Sequence, residues 1–125
     1  MCIIHTVNNF EDAKKLIDEN PNCIILDVRE EEEYATGHVK DAVLFPVDDI
    51  TAESAKEVIP SKDSMLVVYC RTGSRSRMAA EALCRLGYTD IYDIGGLIAK
   101  YESGKYSVRY ATELTELAGG QKLVR

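Results

Sequence analysis

The sequence predicts an α/β domain in which a mostly parallel sheet of five strands is covered by helices on both faces. Three observations support this prediction. Short apolar runs alternate with stretches of helical periodicity, as in proteins built around a parallel sheet. Two of the runs, Cys23–Val28 and Met65–Cys70, are almost continuously apolar, which is typical of strands buried on both faces. A chain of 125 residues is also long enough to form one domain with its own core.

The first strand is predicted at Cys2–Val7, and a helix follows it. Asn8 is the expected N-cap of this helix, with Glu11 three residues later as its capping partner. The helix ends at Asn20-Pro21, because proline cannot continue it. The second strand then occupies Cys23–Val28.

The middle of the chain contains shorter elements. The acidic run Glu30–Glu33 opens a short helical turn, and we expect it to form a solvated face. The third strand is predicted at Ala42–Phe45. A helix over Thr51–Ile59, begun by Asp48 or Asp49, leads to the fourth strand.

The fourth and fifth strands flank the longest helix. A turn-rich loop separates the fourth strand, Met65–Cys70, from this helix, which is predicted over Arg75–Leu86. The helix ends at Gly87, the residue type that most often follows a helix C-terminus. The fifth strand is predicted at Asp90–Ile94, and a short helix is expected after it, ending at Tyr101.

The chain is divided into one domain, residues 1–106, and a C-terminal extension, residues 107–125. The alternating pattern weakens after Gly104, so no further strand is predicted there. The extension is expected to form one short helix over Ala111–Ala118 and a loose tail.

The charge balance limits the expected partners. Twenty-one acidic residues against fifteen basic ones give a net charge of −6, and nonspecific nucleic-acid binding needs Lys and Arg at phosphates. No apolar run approaches the roughly 18–20 residues of a membrane span, and the N-terminus lacks the basic and apolar regions of a signal peptide. We therefore expect a cytoplasmic monomer or weak homodimer with no nucleic-acid or membrane partner.

The cysteine and histidine spacing predicts neither a metal site nor a cofactor. The cysteines form no C-x-x-C motif, and none lies at zinc-finger spacing from either histidine. In a reducing cytosol all four are expected to be free thiols. They are Cys2, Cys23, Cys70 and Cys84.

Among these, Cys70 is the predicted nucleophile. It ends a buried parallel strand, and ligand sites in parallel sheets lie at the carboxyl ends of the strands. A helix N-terminus, loop N–H groups and nearby arginines all favour a thiolate there. Gly73 permits a positive φ, and Ser74 or Ser76 is expected to cap the helix. The predicted substrate-binding loop consists of Arg71, Thr72, Gly73, Ser74, Arg75 and Ser76.

Two motifs about thirty residues apart carry a family resemblance. The first is LDVRE at 26–30, continued by EYATGHVKDA at 33–42, and the second is YCRTGSRS at 69–76. In this order they resemble the two signatures of the single-domain rhodaneses, a family of sulfurtransferases. Gly87-Tyr88 and Gly95-Gly96 match later landmarks, and the resemblance covers roughly residues 3–106. The family usually has Trp shortly after the paired glycines, and here Tyr101 lies nearest to that position.

The resemblance implies an open α/β sheet and a ping-pong mechanism through a covalent intermediate. The Cys70 thiolate would take the outer sulfur of a small anionic donor such as thiosulfate and become a persulfide. Cyanide or a thiol would then remove that sulfur. Arg71 and Arg75 are expected to attract the donor, and the alternative is a relay module that receives its sulfur from a partner protein.

Two related enzyme classes are weighed against this interpretation. Phosphatases of a similar fold use a cysteine followed by five residues and then an arginine. Counted from Cys70, that position holds Ser76, with arginines at 75 and 77. A Cys-dependent phosphatase and an arsenate reductase are therefore the less favoured alternatives.

Three polar residues of the first motif are expected to have structural roles. His38 is expected to form a hydrogen bond rather than to act as a general base. Asp27 and Arg29 follow a strand, and we expect them to form a buried or half-buried pair that orders nearby loops.

Overall fold

The computed structural model describes residues 2–39 and 41–96. Within these ranges five strands form a single sheet with the order β1-β5-β4-β2-β3. All four strand pairings are parallel, so the predicted fold class is confirmed. The strands are β1 (Ile3–Thr6), β2 (Ile24–Asp27), β3 (Val43–Leu44), β4 (Met65–Tyr69) and β5 (Asp90–Gly95).

Helices cover both faces of this sheet, and the two longest described helices bury small and apolar residues against it. On one face, Ala13 and Ile17 pack with Ile25 and Val67. The opposite face carries the larger cluster, in which Leu83 and its helical neighbours contact the apolar residues of β4 and β5. The helices are α1 (Phe10–Glu19), α2 (Glu31–Thr36), α3 (Ala52–Val58) and α4 (Ser74–Arg85), with a 3₁₀ turn at Val47–Asp49.

Two predicted helix starts are wrong by a few residues. The side chain of Asn9, not of Asn8, accepts the Asp12 N–H at the start of α1. The two asparagines are adjacent and an acidic residue follows each at the capping distance, so the sequence pattern fits either choice. At α3 the cap is Thr51, paired with Ser54.

Asp48 and Asp49, proposed to begin α3, instead lie in the 3₁₀ turn that precedes it. The predicted end of α4 is confirmed, since Gly87 follows its last residues. No described helix has the length and apolar character needed to cross a membrane. The helix predicted to end at Tyr101, the Ala111–Ala118 helix and the boundary between residues 106 and 107 lie outside the described residues.

The expectation of four free thiols is wrong for one pair. Cys2 and Cys84 form a disulfide between residues 82 positions apart, with their Cα atoms 5.5 Å apart. Cys2 directly precedes the edge strand β1, and α4 contacts this strand, which brings the two residues together. Cys23 and Cys70 are free thiols. The spacing rules for metal sites and C-x-x-C motifs do not detect a pair that only the tertiary fold creates.

Candidate active site

Cys70 lies directly after β4, at the carboxyl end of the sheet, and its side chain is completely buried. Its own N–H donates to the carbonyl of Gly95, 3.0 Å away, which fixes the backbone at this point. Its Sγ accepts two main-chain hydrogen bonds, from Gly73 N–H at 3.0 Å and Ser76 N–H at 3.2 Å. Two converging N–H groups are the arrangement that stabilises an anion on this atom.

The conformation of the loop depends on Gly73. This residue is the N-cap of α4 and has φ of +98°, a left-handed conformation that favours glycine. Neither serine caps the helix through its side chain, contrary to the prediction. Ser76 is instead buried, and its hydroxyl donates to the Gly73 carbonyl at 3.1 Å. The loop therefore turns its N–H groups toward the sulfur, and the buried serine fixes that turn.

A second glycine allows a neighbouring segment to pack directly on the loop. A Cβ added to Gly96 would lie 2.5 Å from the carbonyl oxygen of Arg71 and 2.8 Å from the Cα of Thr72. Real Cβ atoms essentially never approach other atoms so closely, and both contacts are with backbone. Together with the bond from Cys70 to the Gly95 carbonyl, this contact supports the loop from the end of β5.

The arginines that follow Cys70 have different surroundings. Arg75 donates through both terminal nitrogens to Glu33 of α2, at 2.6 and 2.9 Å. Arg77 forms an exposed pair with Glu81, one turn along the same helix, at 3.3 Å. Arg71 is exposed beside the nucleophile. The three arginines therefore do not act as one cluster of cations.

Glu33 is a residue that the sequence interpretation placed on a solvated face, and for this residue the expectation is wrong. Its hydrogen bond to Arg75 lowers the pKa of Glu33 to about 2. Conversely, the bond to Glu33 raises the pKa of Arg75, and the Cys70 sulfur contributes to this shift. The position of Glu33 inside the first motif was the available signal, but nothing in the local pattern linked it to α4.

A buried polar network lies below the loop. The side chains of Arg29 and Asp27 form two hydrogen bonds, at 2.8 and 2.6 Å, which confirms the predicted pair. The Tyr69 hydroxyl donates to Asp27 at 2.7 Å and accepts from Val39 N–H at 3.1 Å. Burial raises the pKa of Tyr69 well above its ordinary value, so this hydroxyl keeps its proton. The network joins the end of β2 to the last residue of β4, next to Cys70.

His38 has the structural role that the sequence predicted. Its Nδ1 lies 2.9 Å from the carbonyl oxygen of Tyr34, and the two rings stack with centroids 3.7 Å apart. The Tyr34 hydroxyl in turn donates to the carbonyl of Ala42 at 2.7 Å. These contacts hold the segment between α2 and β3.

The predicted loop residues thus fall into two groups. Gly73 and Ser76 contact the sulfur through their N–H groups, and Ser76 also fixes the turn. Thr72 and Ser74 are exposed, and their hydroxyl oxygens lie 3.3 Å apart.

The part of the chain that contains Cys70 and both sequence motifs is similar to known proteins. A family model described as "Rhodanese-like domain" matches residues 9–103. The chain is 36% identical over 72 residues to "Thiosulfate sulfurtransferase PspE" of Escherichia coli (strain K12), covering 58% of this chain and 68% of that protein. A solved structure, a rhodanese with anions from E. coli, matches with a TM-score of 0.57 and 34% identity, covering 61% of this chain and 88% of that one.

A second group of relatives is much longer than this chain. The tRNA uridine(34) hydroxylase of Photorhabdus laumondii is 29% identical over 94 residues. The match covers 73% of this chain but only 26% of the hydroxylase, so the chain spans about a quarter of that relative's length.

Proposed function

The chain belongs to the rhodanese-like domain family, and from this premise we propose that it is a sulfurtransferase whose sulfur carrier is Cys70. It takes a sulfane sulfur from a small anionic donor such as thiosulfate and passes it to a thiophilic acceptor, cyanide or a thiol. The observation that carries the proposal is the pair of main-chain N–H groups on the Cys70 Sγ. The similarity to PspE supports the same reaction class.

In the first half-reaction the Cys70 thiolate attacks the outer sulfur of thiosulfate. A sulfur–sulfur bond forms at Cys70, the bond inside the donor breaks, and sulfite leaves with the electron pair. The enzyme then carries an anionic persulfide. In the second half-reaction the acceptor attacks the outer sulfur, and the electron pair returns to Cys70 as the thiolate. With cyanide the product is thiocyanate, and no external oxidant or reductant is needed.

The loop fits a single sulfur atom better than a phosphoryl group. Position 76, where a phosphatase of this type has its arginine, holds a buried serine whose N–H points to the sulfur. Arg75 is bound by Glu33 through two hydrogen bonds. Neither residue offers the bidentate phosphate contact that an unpaired arginine would supply. This supports sulfur transfer over phosphatase and arsenate reductase activities.

The donor is expected to be small. Cys70 is fully buried, so a donor must displace part of what covers the sulfur. Arg71, exposed next to Cys70, is proposed to attract the donor's charge, and Arg75 is proposed as a fixed positive charge near the sulfur. The alternative is a protein donor. It predicts that a protein persulfide loads Cys70 with sulfur, whereas thiosulfate does not.

Thiocyanate formation from thiosulfate and cyanide tests the proposal. Cys70→Ser is expected to abolish it, and Cys23→Ser, the matched control at the other described free thiol, is expected to retain it. Intact mass after donor treatment should show a gain of one sulfur that is absent in Cys70→Ser. Equal turnover by the wild type and Cys70→Ser, or hydrolysis of an aryl phosphate that depends on Cys70, would contradict the proposal.

A further inference from the structure

A cavity of about 370 Å³ lies beside the Cys70 loop, within the size range of small-molecule sites. It is bounded by the carboxyl ends of β1 and β5 and by the first turn of α4. Apolar Val7 and Ile94 line it together with polar Asn8, Thr72 and Asp93. The cavity is therefore amphipathic, as expected for a site that takes a small polar molecule.

Asp93 is the unusual residue of this cavity. It lies on β5 and is only 5% exposed. Its Oδ1 accepts the Gly95 N–H at 2.9 Å, whereas no residue in the described part of the chain donates to its Oδ2. Buried polar oxygens almost always have a donor, and a carboxylate oxygen left without one is costly. The cavity is the place from which such a donor can come.

The cation among the residues that line the cavity does not fill this role. Arg77 also lines the cavity, but it is about half exposed and its Nε donates to Glu81 at 3.3 Å. Its charge is directed along α4 and is screened by solvent. The carboxylate of Asp93 is only 5% exposed and therefore less screened, so it is the stronger electrostatic determinant of what binds.

One residue, Gly73, contacts both the cavity and the nucleophile. Gly73 lines the cavity and also donates its N–H to the Cys70 Sγ at 3.0 Å. Gly96, which lines the cavity too, packs against the backbone of Arg71 and Thr72. A molecule held here therefore lies beside the loop that carries the sulfur.

We propose that this cavity binds the sulfur acceptor, and that the acceptor is a small aminothiol whose ammonium group donates to Asp93. The inference rests on the proposed sulfurtransferase function. The aminothiol's thiolate attacks the outer sulfur of the Cys70 persulfide and forms a new sulfur–sulfur bond. The bond between the two sulfurs at Cys70 breaks, and its electron pair returns to Cys70. The product is the persulfide of the aminothiol.

Acceptor selectivity provides the first test. Protein with one sulfur loaded on Cys70, verified by intact mass, is mixed with cysteamine or with 3-mercaptopropionate, which carries no ammonium group. The loss of sulfur is followed at equal thiolate concentration. The ratio compared is the rate constant with cysteamine divided by the rate constant with 3-mercaptopropionate. Asp93→Asn is expected to lower this ratio about tenfold, since a charge-assisted hydrogen bond is replaced by a neutral one. Asparagine can still accept the Gly95 N–H, so the end of β5 keeps its turn.

Asp90→Asn is the matched control, because it removes the same charge from the other end of β5. It is expected to keep the wild-type ratio. An unchanged ratio in Asp93→Asn, or an equal fall in both variants, would overturn the inference. If Cys70 takes no sulfur at all, the proposed function fails instead. A second measurement then tests whether the cavity binds an ammonium group.

That measurement uses the wild-type chain and an amine that cannot react, S-methylcysteamine, titrated under NMR observation. Its ammonium group is expected to shift the amide resonances of Thr72, Gly73 and Gly96. No shift at these residues would overturn the inference, whether or not Asp93→Asn folds. The same shifts produced by KCl alone would assign the cavity to an inorganic cation, which would also overturn it.

Discussion

The carboxylate of Glu33 and the guanidinium of Arg75, 42 positions apart in the sequence, are joined by two hydrogen bonds of 2.6 and 2.9 Å. This contact fastens α2 to the first turn of α4, which also carries the sulfur-binding N–H of Ser76. The pair therefore connects the two sequence motifs directly. It also fixes one of the loop arginines, whose charge is shared with a carboxylate.

Glu33→Gln is expected to lower the free energy of unfolding by about 1 kcal/mol at pH 7, allowing for solvent screening of a pair about a quarter exposed. The effect should depend on pH in a definite direction. The folded pKa of Glu33, about 2, is below its ordinary value of 4.5. The ion pair therefore stabilises the fold above pH 4.5, and this contribution is lost as the pH falls from 4.5 toward 2.

Thermal melts of the wild type and Glu33→Gln across this pH range measure the effect. The two melting temperatures are expected to differ at pH 6–7 and to converge near pH 2. Glu32→Gln, an exposed neighbour on the same helix, is the control and should match the wild type throughout. A gap between wild type and Glu33→Gln that widens on acidification would contradict the assignment.

The contrast between Cys70 and Glu33 shows how far the sequence could predict this site. The apolar run of β4, the glycine-containing loop and the amphipathic α4 are contiguous, so local patterns were sufficient to place Cys70 at the sheet's carboxyl end. The partner of Arg75 lies on another helix, and a local pattern gives no information on how two helices lie side by side. Local patterns give no information on the Cys2–Cys84 disulfide either, because α4 meets the edge strand β1 only in the tertiary fold.

Gly96→Ala is expected to lower kcat/KM at least tenfold, because its Cβ would meet the backbone of Arg71 and Thr72 at 2.5–2.8 Å. The loop must move to relieve this overlap, and its N–H groups then lose their alignment with the sulfur. Overpacking of this kind costs about 1–3 kcal/mol of stability. The measurement is thiocyanate formation, together with denaturant unfolding.

Gly87→Ala separates backbone strain from the effect on the loop. Gly87 also has a left-handed backbone, with φ of +99°, but it lies at the far end of α4 and only the Lys62 side chain is near. This variant is expected to lose about 1 kcal/mol of stability and to keep its kcat/KM. Equal losses of activity in the two variants would show that the contact of Gly96 with the loop is unimportant.

Arg71→Ala is expected to raise the KM for thiosulfate severalfold with a smaller change in kcat. The residue is exposed next to Cys70, so its positive charge adds to the potential that an approaching anion meets. Steady-state kinetics at low and at high salt measure this, and the difference from wild type should shrink as salt screens the charge. Arg77→Ala is the control and should change the KM less, because Arg77 lies seven positions after Cys70, inside α4. A KM that Arg71→Ala leaves unchanged would remove this residue from donor binding.

The double variant Cys2→Ser/Cys84→Ser is expected to be less stable than the oxidised wild type by about 2–4 kcal/mol. A disulfide that closes a long loop restricts the unfolded chain, and this one joins residues 82 positions apart. The bond joins the start of β1, at the sheet edge, to the C-terminal end of α4. The loop over residues 71–76 lies at the other end of α4, so the variant should still transfer sulfur. Unfolding by denaturant and thiocyanate formation measure the two properties separately.

A reducing agent should lower the stability of the wild type to that of the double variant and leave the variant's own stability unchanged. No difference between oxidised and reduced wild type would contradict a stabilising role.

The bond also bears on location, because disulfides persist in oxidising compartments and are rare in the cytosol. The cytoplasmic location expected from the sequence stays a prediction, and the disulfide argues against it. Labelling of Cys84 by a thiol reagent in freshly lysed cells, with free thiols blocked at once, would decide between a reduced and an oxidised pair.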